Sequence, residues 1–500
     1  MVAQDIDTTG HTVHRARGRI LAPGFIDMHS HSDFTLPAFP DASNSLTQGV
    51  TTEVVGNCGF SPAPLAPSTT GRHAEWRRLG AAIGPDLSWA WTDFGGFLDA
   101  LDAARPAVNC VPLVGHGAIR TAACGVDDRR PSHDELSEMR DLLAEAASAG
   151  AWGLSTGLVY TPSRFAEADE VHTLARDVAS WGGIYATHMR DESAHLLEAV
   201  DEAIGVARST GVRVQISHLK AAGPSHHGQV ARALEAIDRA VAEGLAVGCD
   251  VYPYLAGSTV LAQLLPPWVL VGGVPALLTR LSSDDTRRRI ADQLRVDGDC
   301  YLNQIGGWKN ILIAAVEHPE LKRFEGRPIS ALAAAEGTDE ASLLFDILVK
   351  DEARTTMILF MMSEDDVNLV LDHPNAVVGS DVLGVTSHTS HVHPRAYGTF
   401  ARVIRRALDM GESALTDTIS RCTGHTAARL GLSDRGLIRP GYVADLVLFD
   451  PETMADQATY QAPTRPAAGV EAVYVSGQLA VQNGSVVNPS LGRVLRRPRH

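Results

Sequence analysis

The sequence predicts an α/β fold: a (β/α)8 TIM-like barrel that carries a helical insertion and a small β-domain. Three observations point there. The chain has 500 residues, too many for one simple domain but a length that a barrel with insertions absorbs. Short β-branched runs alternate with amphipathic helical stretches from His29 to Asp381, the pattern of βα units around a parallel sheet. In Gly24-Phe25-Ile26-Asp27-Met28-His29-Ser30-His31, two histidines end an apolar run. Residues i and i+2 of a strand share a face, so both imidazoles can reach one metal ion.

The eight runs, in chain order, are Gly24 to His31, Thr51 to Gly56, Ala107 to Gly115, Ala151 to Ser155, Gly183 to His188, Arg213 to His218, Ala246 to Tyr252 and Ala376 to Asp381. Between the third and fourth, Ser132 and Glu135 form a capping box ahead of Leu136, Met139, Leu142, Leu143 and Ala146 at helical spacing, which predicts a helix returning to a strand. About 120 residues separate Tyr252 from the eighth run, more than one crossover needs. A helical subdomain over the strand ends, a lid, is therefore expected at about 261–354. Beyond Asp381 come a loop rich in His and Ser and two helices. The stretches Gly436 to Asp450 and Ala472 to Gly477 then read as strand and hairpin elements of a small β-domain. The expected division is 1–20 for the first part of that β-domain, 21–432 for the barrel with its insertion, and 433–500 for the rest of the β-domain and a tail. With only 28 residues before His29, the first part of the β-domain is either reduced or begins upstream.

A formal charge of -16 argues against nucleic acid or an anionic membrane as partner, since both demand a basic surface. Arg493, Arg496, Arg497 and Arg499 near the C-terminus read as a solvated tail. The six cysteines are far apart and include no C-x-x-C pair, so they read as reduced thiols. The first residues, Met1-Val2-Ala3-Gln4-Asp5, lack a basic n-region and an apolar h-region, and the expectation is a cytoplasmic enzyme.

Active sites of such barrels lie at the C-terminal ends of the strands. His29, His31, Cys58, His188, His218 and Asp381 all fall at or near such ends. Taken singly, Cys58 also reads as a buried thiol, His188 and His218 as satisfied core histidines, and Asp381 as a helix N-cap. Their joint placement favours a metal site. Imidazoles and a thiolate suit borderline-soft Zn²⁺, and a carboxylate at the open side can both ligate and move protons. Two zinc positions fit, one at Cys58, His188 and His218 and the other at His29, His31 and Asp381, with the thiolate able to bridge.

At this point the chain resembles the amidohydrolase superfamily and, within it, the N-acyl-D-amino-acid deacylases (D-aminoacylases). The resemblance is carried by Gly24 to Asp33, Gly56-Asn57-Cys58-Gly59, Val114 to Arg120, Gly153 to Tyr160, Thr187-His188-Met189-Arg190-Asp191-Glu192, Ser217-His218-Leu219-Lys220, His393 to Phe400 and the stretch from Pro440 to Asp450. It implies a barrel of amidohydrolase type in which a cysteine stands where many relatives carry a carbamylated lysine. It further implies one tight and one weaker zinc site, with the aspartate as catalytic base. These roles pass to Cys58, His188, His218, His29, His31 and Asp381. The sequence supports the cysteine independently: no lysine precedes Lys220, so the fourth strand cannot supply a carbamylated one. Val382 departs from the family pattern, which tends to have glycine after the aspartate.

The expected substrate is a small-molecule N-acyl amino acid, whose free carboxylate suits a guanidinium or ammonium. Arg395 and Lys220 are the candidates for that contact, and solvated surface charge is the alternative for each. Tyr160 and Tyr252, or Tyr254, are candidates to donate to the carboxylate or to the developing oxyanion, with packing aromatics as the alternative. His116 is expected either to orient a neighbour or to be structural. His388, His391 and His393 are set aside as solvated loop histidines. The rival readings are another amide or cyclic-amide hydrolase of the same superfamily, a zinc deaminase and a non-catalytic scaffold. A deaminase usually wants a glutamate after the sixth-strand histidine, where Leu219 and Lys220 stand, and a scaffold typically loses ligands.

Overall fold

A computed structural model describes residues 13, 16–67, 71–85, 87–296, 300–383, 385 and 391–498. Strand β1 (Ile20–Pro23) leads directly into β2 (Phe25–Asp27). There follow β3 (Val50–Val55), β4 (Asn109–Gly115), β5 (Gly153–Gly157), β6 (Ile184–His188), β7 (Arg213–Ile216) and β8 (Val247–Val251), all rich in buried residues. The chain then leaves for β9 (Ala256–Val260), β10 (Ile311–Ile313) and β11 (Thr356–Phe360) and returns in β12 (Ala376–Val378). Strands β2 to β8 and β12 make one parallel sheet in which each pairs with its neighbour in chain order. The ring closes where Met28 N donates to Val378 O (3.1 Å) and Asp381 N to His29 O (2.7 Å). Strands buried on both faces read as continuous apolar runs, which is why all eight were visible in the sequence.

Helices return the chain between strands. The helix His133–Ala149 has both halves of its expected capping box: Ser132 Oγ accepts from Glu135 N at 3.2 Å and Glu135 Oε2 accepts from Ser132 N at 2.7 Å. Gly150, at φ 113°, ends it. Among the described residues no helix is long and apolar enough to cross a membrane.

The insertion is mainly helical, as expected, with one short strand inside it: β11 pairs with both β10 and β9, so a three-stranded antiparallel sheet with β11 in the middle ties together the insertion's two ends, at β9 and β11. One expectation is corrected: the segment carrying the described C-terminal arginines is not a free tail. Cys110 N donates to Arg493 O (2.9 Å) and Leu495 N to Cys110 O (2.8 Å), so residues 493–495 run along β4. Trp152 Nε1 donates to Leu495 O, and the Leu495 side chain joins Ile26, Val54, Val111 and Ile184 in one buried cluster. Arg499 lies outside the described residues. The terminal strands β13 (Leu446–Phe449), β14 (Val470–Val475), β15 (Gln478–Gln482) and β16 (Ser485–Val486) extend β1 into a five-stranded sheet, Ile20 pairing with Phe449.

Candidate metal centre

Three of the six candidate donors sit on left-handed backbone just beyond a strand: Cys58 (φ 54°), His218 (φ 34°) and Asp381 (φ 53°). Such conformations cost non-glycine residues on the order of 1–3 kcal/mol and cluster at functional sites. Here the kink ends each strand and turns its side chain into the barrel mouth. Before Cys58, Gly56 (φ 81°) is required, since a Cβ there would meet the Leu113 carbonyl oxygen at 2.0 Å. The strain at His218 and Asp381 is held by hydrogen bonds from their backbone N–H groups, to Asp250 Oδ1 (2.8 Å) and His29 O (2.7 Å).

The donors converge. One atom each from His29, Cys58, His218 and Asp381 lies within 4.8 Å of the others, and the same holds for His188, Glu192 and His218. Cys58 Sγ is 3.3 Å from His29 Nε2 and 3.5 Å from His218 Nε2. Asp381 Oδ1 faces His29 Nε2 (3.5 Å) and His31 Nε2 (3.3 Å). This grouping differs from the expected pair of sites, because His218 stands with His29 and Asp381 as well as with His188. All the residues are buried.

Burial works against charge on Cys58, but His29 and His218, with hydrogen bonds from His188 and His218, hold its thiol well below the ordinary value. Burial likewise opposes an anionic Asp381, and Arg395, His218, His31 and His29 outweigh it, holding the carboxyl well below the usual range. Arg395 Nη1 lies 2.8 Å from Asp381 Oδ2, in an orientation that makes an ion pair without a hydrogen bond.

The candidate substrate groups divide. Lys220, Tyr252 and Tyr160 line a cavity of about 590 Å³, part of it open solvent, which His31, Cys58, His188, His218 and Asp381 also line while His29 lies behind them. Lys220 Nζ donates to Glu192 Oε1 (2.6 Å) and lies 2.7 Å from His218 Nδ1. The Tyr160 hydroxyl is 3.0 Å from Thr259 Oγ1, and the Tyr160 ring is 4.9 Å from the His188 ring. Arg395 does not line the cavity. It is only 1 % exposed and packs its guanidinium 4.8 Å from the Tyr252 ring centre. Tyr254 turns away, its hydroxyl 3.4 Å from Pro394 O. His116 belongs to a separate buried network with Ser163 (2.9 Å) and Glu170 (2.8 Å). His393, set aside as solvated, is buried: Nε2 donates to Ala256 O (2.9 Å) and Nδ1 accepts from Arg395 N (3.0 Å). His388 lies outside the described residues.

Two residues escaped the sequence reading. Asp250 places Oδ1 3.2 Å from His29 Nδ1, which turns the other ring nitrogen toward Cys58 and Asp381. Glu192 stands between His188 (3.4 Å), His218 (2.9 Å) and Lys220, and these three outweigh its burial and keep it ionised. A lone acid inside an apolar strand, Cys249-Asp250-Val251, was the available signal for the first. The place of Glu192 four residues after His188 was the signal for the second.

Soft and borderline donors gathered at the carboxyl ends of a parallel barrel define the class of metal-binding barrels. A model of the amidohydrolase family matches residues 13–481, and the chain belongs to that family. It is 37% identical over 492 residues to a D-aminoacylase of Alcaligenes xylosoxydans xylosoxydans, covering 98% of this chain and 90% of that protein. It is 36% identical over 471 residues to an N-acyl-D-aspartate deacylase of the same organism, covering 94% and 83%. Among solved structures it is similar to N-acyl-D-glutamate deacylase from Bordetella bronchiseptica complexed with zinc and a phosphonate mimic of the tetrahedral intermediate. That match has a TM-score of 0.80 at 32% identity and covers 98% of this chain and 92% of that one.

Proposed function

We propose that this chain hydrolyses the amide bond of N-acyl-D-amino acids with the help of zinc, releasing a carboxylate and the free D-amino acid. The observation that carries the reading is the gathering of Asp381 with His29, Cys58 and His218, of which Asp381, Cys58 and His218 line one cavity together with Lys220 and Tyr252. The names of the similar proteins, all acting on D-configured substrates, support the chirality.

The donor set fits zinc in kind, with imidazoles, a thiol held toward thiolate and carboxylates within a few ångströms of one another. His29, His31, Cys58, His188, His218 and Asp381 would hold it, one ion tightly and a second more weakly. Zinc bound there would polarise the scissile carbonyl and bring the pKa of water toward ~7. Asp381, kept anionic by Arg395, takes the proton from the attacking water and returns it to the leaving nitrogen. An amide nitrogen departs poorly unless protonated, so both transfers are needed. Lys220 receives the substrate carboxylate beside Tyr252, and the Tyr160 hydroxyl donates to the developing oxyanion. The segment at about 261–354, with its flanking strands, serves as a lid over a barrel unit at 21–432, between β-domain parts at 1–20 and 433–500.

The test is metal content of the purified protein, together with turnover of N-acetyl-D- and N-acetyl-L-amino acids by wild type and Cys58→Ala. At least one equivalent of zinc and D-selective hydrolysis are expected of wild type, and loss of both metal and activity of the variant. Full zinc and normal turnover in Cys58→Ala would return that residue to the role of a core thiol.

A further inference from the structure

Beside the metal cavity lies a second chamber of about 700 Å³, part of it open solvent. The two share Phe60, Ile83, Tyr160 and Val260, so one opens against the other with only these side chains between. Past that shared wall the chamber is lined mainly by Leu79, Ala82, Leu270, Val274 and Leu277. Three polar side chains interrupt this lining, and Thr161 brings a buried hydroxyl that has no hydrogen-bond partner. Gln263 has its amide turned to Val159 O (3.2 Å), and Arg78 has an exposed side chain. An apolar chamber that adjoins a metal site and lies partly under an inserted segment is suited to an alkyl group.

Barrel order says which end of the substrate faces it. Around the ring, Phe60 follows β3 and Tyr160 follows β5, so they flank β4, while Lys220 follows β7 and Arg395 follows β12, so they flank β8 with Tyr252. In a ring of eight, β4 and β8 are four places apart and so face each other across the mouth. A substrate whose amino-acid carboxylate sits at Lys220 and Tyr252, with its carbonyl over the donor cluster, directs its acyl group to the opposite side. That side is the shared wall.

We propose that this chamber receives the acyl chain, and that the substrates are N-acyl-D-amino acids with medium-length or long alkyl acyl groups in preference to acetyl. The proposal rests on the deacylase reading above and adds to it the class of acyl group. Each methylene removed from water is worth roughly a three- to fourfold gain until the chamber is full.

Two measurements on the zinc-loaded protein test it. The first is kcat/KM for N-acetyl-, N-butyryl-, N-hexanoyl- and N-octanoyl-D-leucine, with N-acetyl-D-alanine and N-acetyl-D-norleucine as the side-chain series. The second, which needs no turnover, is calorimetric affinity for the free acids from acetate to octanoate. Both are made on wild type and on the filling variants Ala82→Phe and Val274→Phe, at half-buried positions away from the donors. Wild type is expected to gain at least tenfold from acetyl to octanoyl in both measurements. The variants should keep the acetyl value within about twofold and lose most of that gain. Values that do not rise with chain length, or variants that lose acetyl and octanoyl substrates equally, overturn the chamber's role. A rise with amino-acid side-chain length in place of acyl length, blunted by the same variants, also overturns it by giving the chamber to the other end of the substrate. If octanoate binds with the expected length dependence while no N-acyl-D-leucine is hydrolysed, the deacylase reading falls and the alkyl-binding chamber stands.

Discussion

In the proposed function Asp381 bears on catalysis more directly than any other side chain, and its backbone allows a clean test. Asparagine tolerates the left-handed conformation at φ 53° and keeps the shape of aspartate, but it cannot carry a proton. Asp381→Asn should therefore fold and keep its tightly bound zinc while kcat falls by ~10²- to 10⁴-fold, the range for a positioned general acid–base. A kcat within a few-fold of wild type at equal zinc would assign the proton elsewhere. Arg395 gives the pH counterpart. Its charge favours the anion of Asp381, so Arg395→Met raises the Asp381 pKa and more acid stays protonated at a given pH. The acidic limb of the kcat/KM profile should then move to higher pH, and a limb that stays in place or moves down would contradict the pairing. At this scale the convergence of the candidate donors was legible, because histidine, cysteine and aspartate at strand ends carry their own signal. Asp250 and Glu192 were not. Their roles come from burial next to a donor and from an ion pair with Lys220, and only the folded chain supplies either.

Among elements, those that obey local rules were visible and those that depend on partners were not. The helix His133–Ala149 announced itself through its cap, and the cap should be worth what caps usually are. Ser132→Ala is expected to cost ~1 kcal/mol in urea unfolding with kcat/KM unchanged, since the helix lies outside the barrel mouth. No loss of stability would mean that Arg129, paired to Glu135 at 2.6 Å, holds the helix start by itself. Strands β9 to β11 illustrate the opposite case. Ala256-Gly257-Ser258-Thr259-Val260 has neither an apolar run nor clear alternation, β10 has only three residues, and their pairing spans about 100 residues of chain. No window of sequence contains that information. The helices of the insertion were legible, whereas the sheet that joins its two ends was not.

For the whole molecule, the C-terminal residues are the clearest case of long-range structure overriding a local reading. Arginines in a row suggest a solvated tail, yet Leu495 enters the cluster inside the barrel and Trp152 bonds its carbonyl. Leu495→Ala should cost ~2 kcal/mol or more, as truncation of a buried leucine does, and should lower the thermal midpoint without changing zinc content. An unchanged midpoint would restore the solvated reading. The barrel itself was legible because eight buried parallel strands leave eight apolar runs, a number that suits a small closed barrel. How residues 493–495 return to β4 was not, because that pairing joins residues almost 400 apart.

The scarcity of lysine has a practical consequence in the folded chain. The four lysines are Lys220, Lys309, Lys322 and Lys350. Lys220 is buried against Glu192, and the other three are exposed and all fall between 309 and 350, inside the inserted segment. Side-chain amine chemistry is thereby directed to one part of the molecule. With the α-amine blocked, a succinimidyl fluorophore at low labelling ratio decorates the inserted segment and leaves the barrel walls dark. Its emission can report on that segment during turnover without any engineered cysteine.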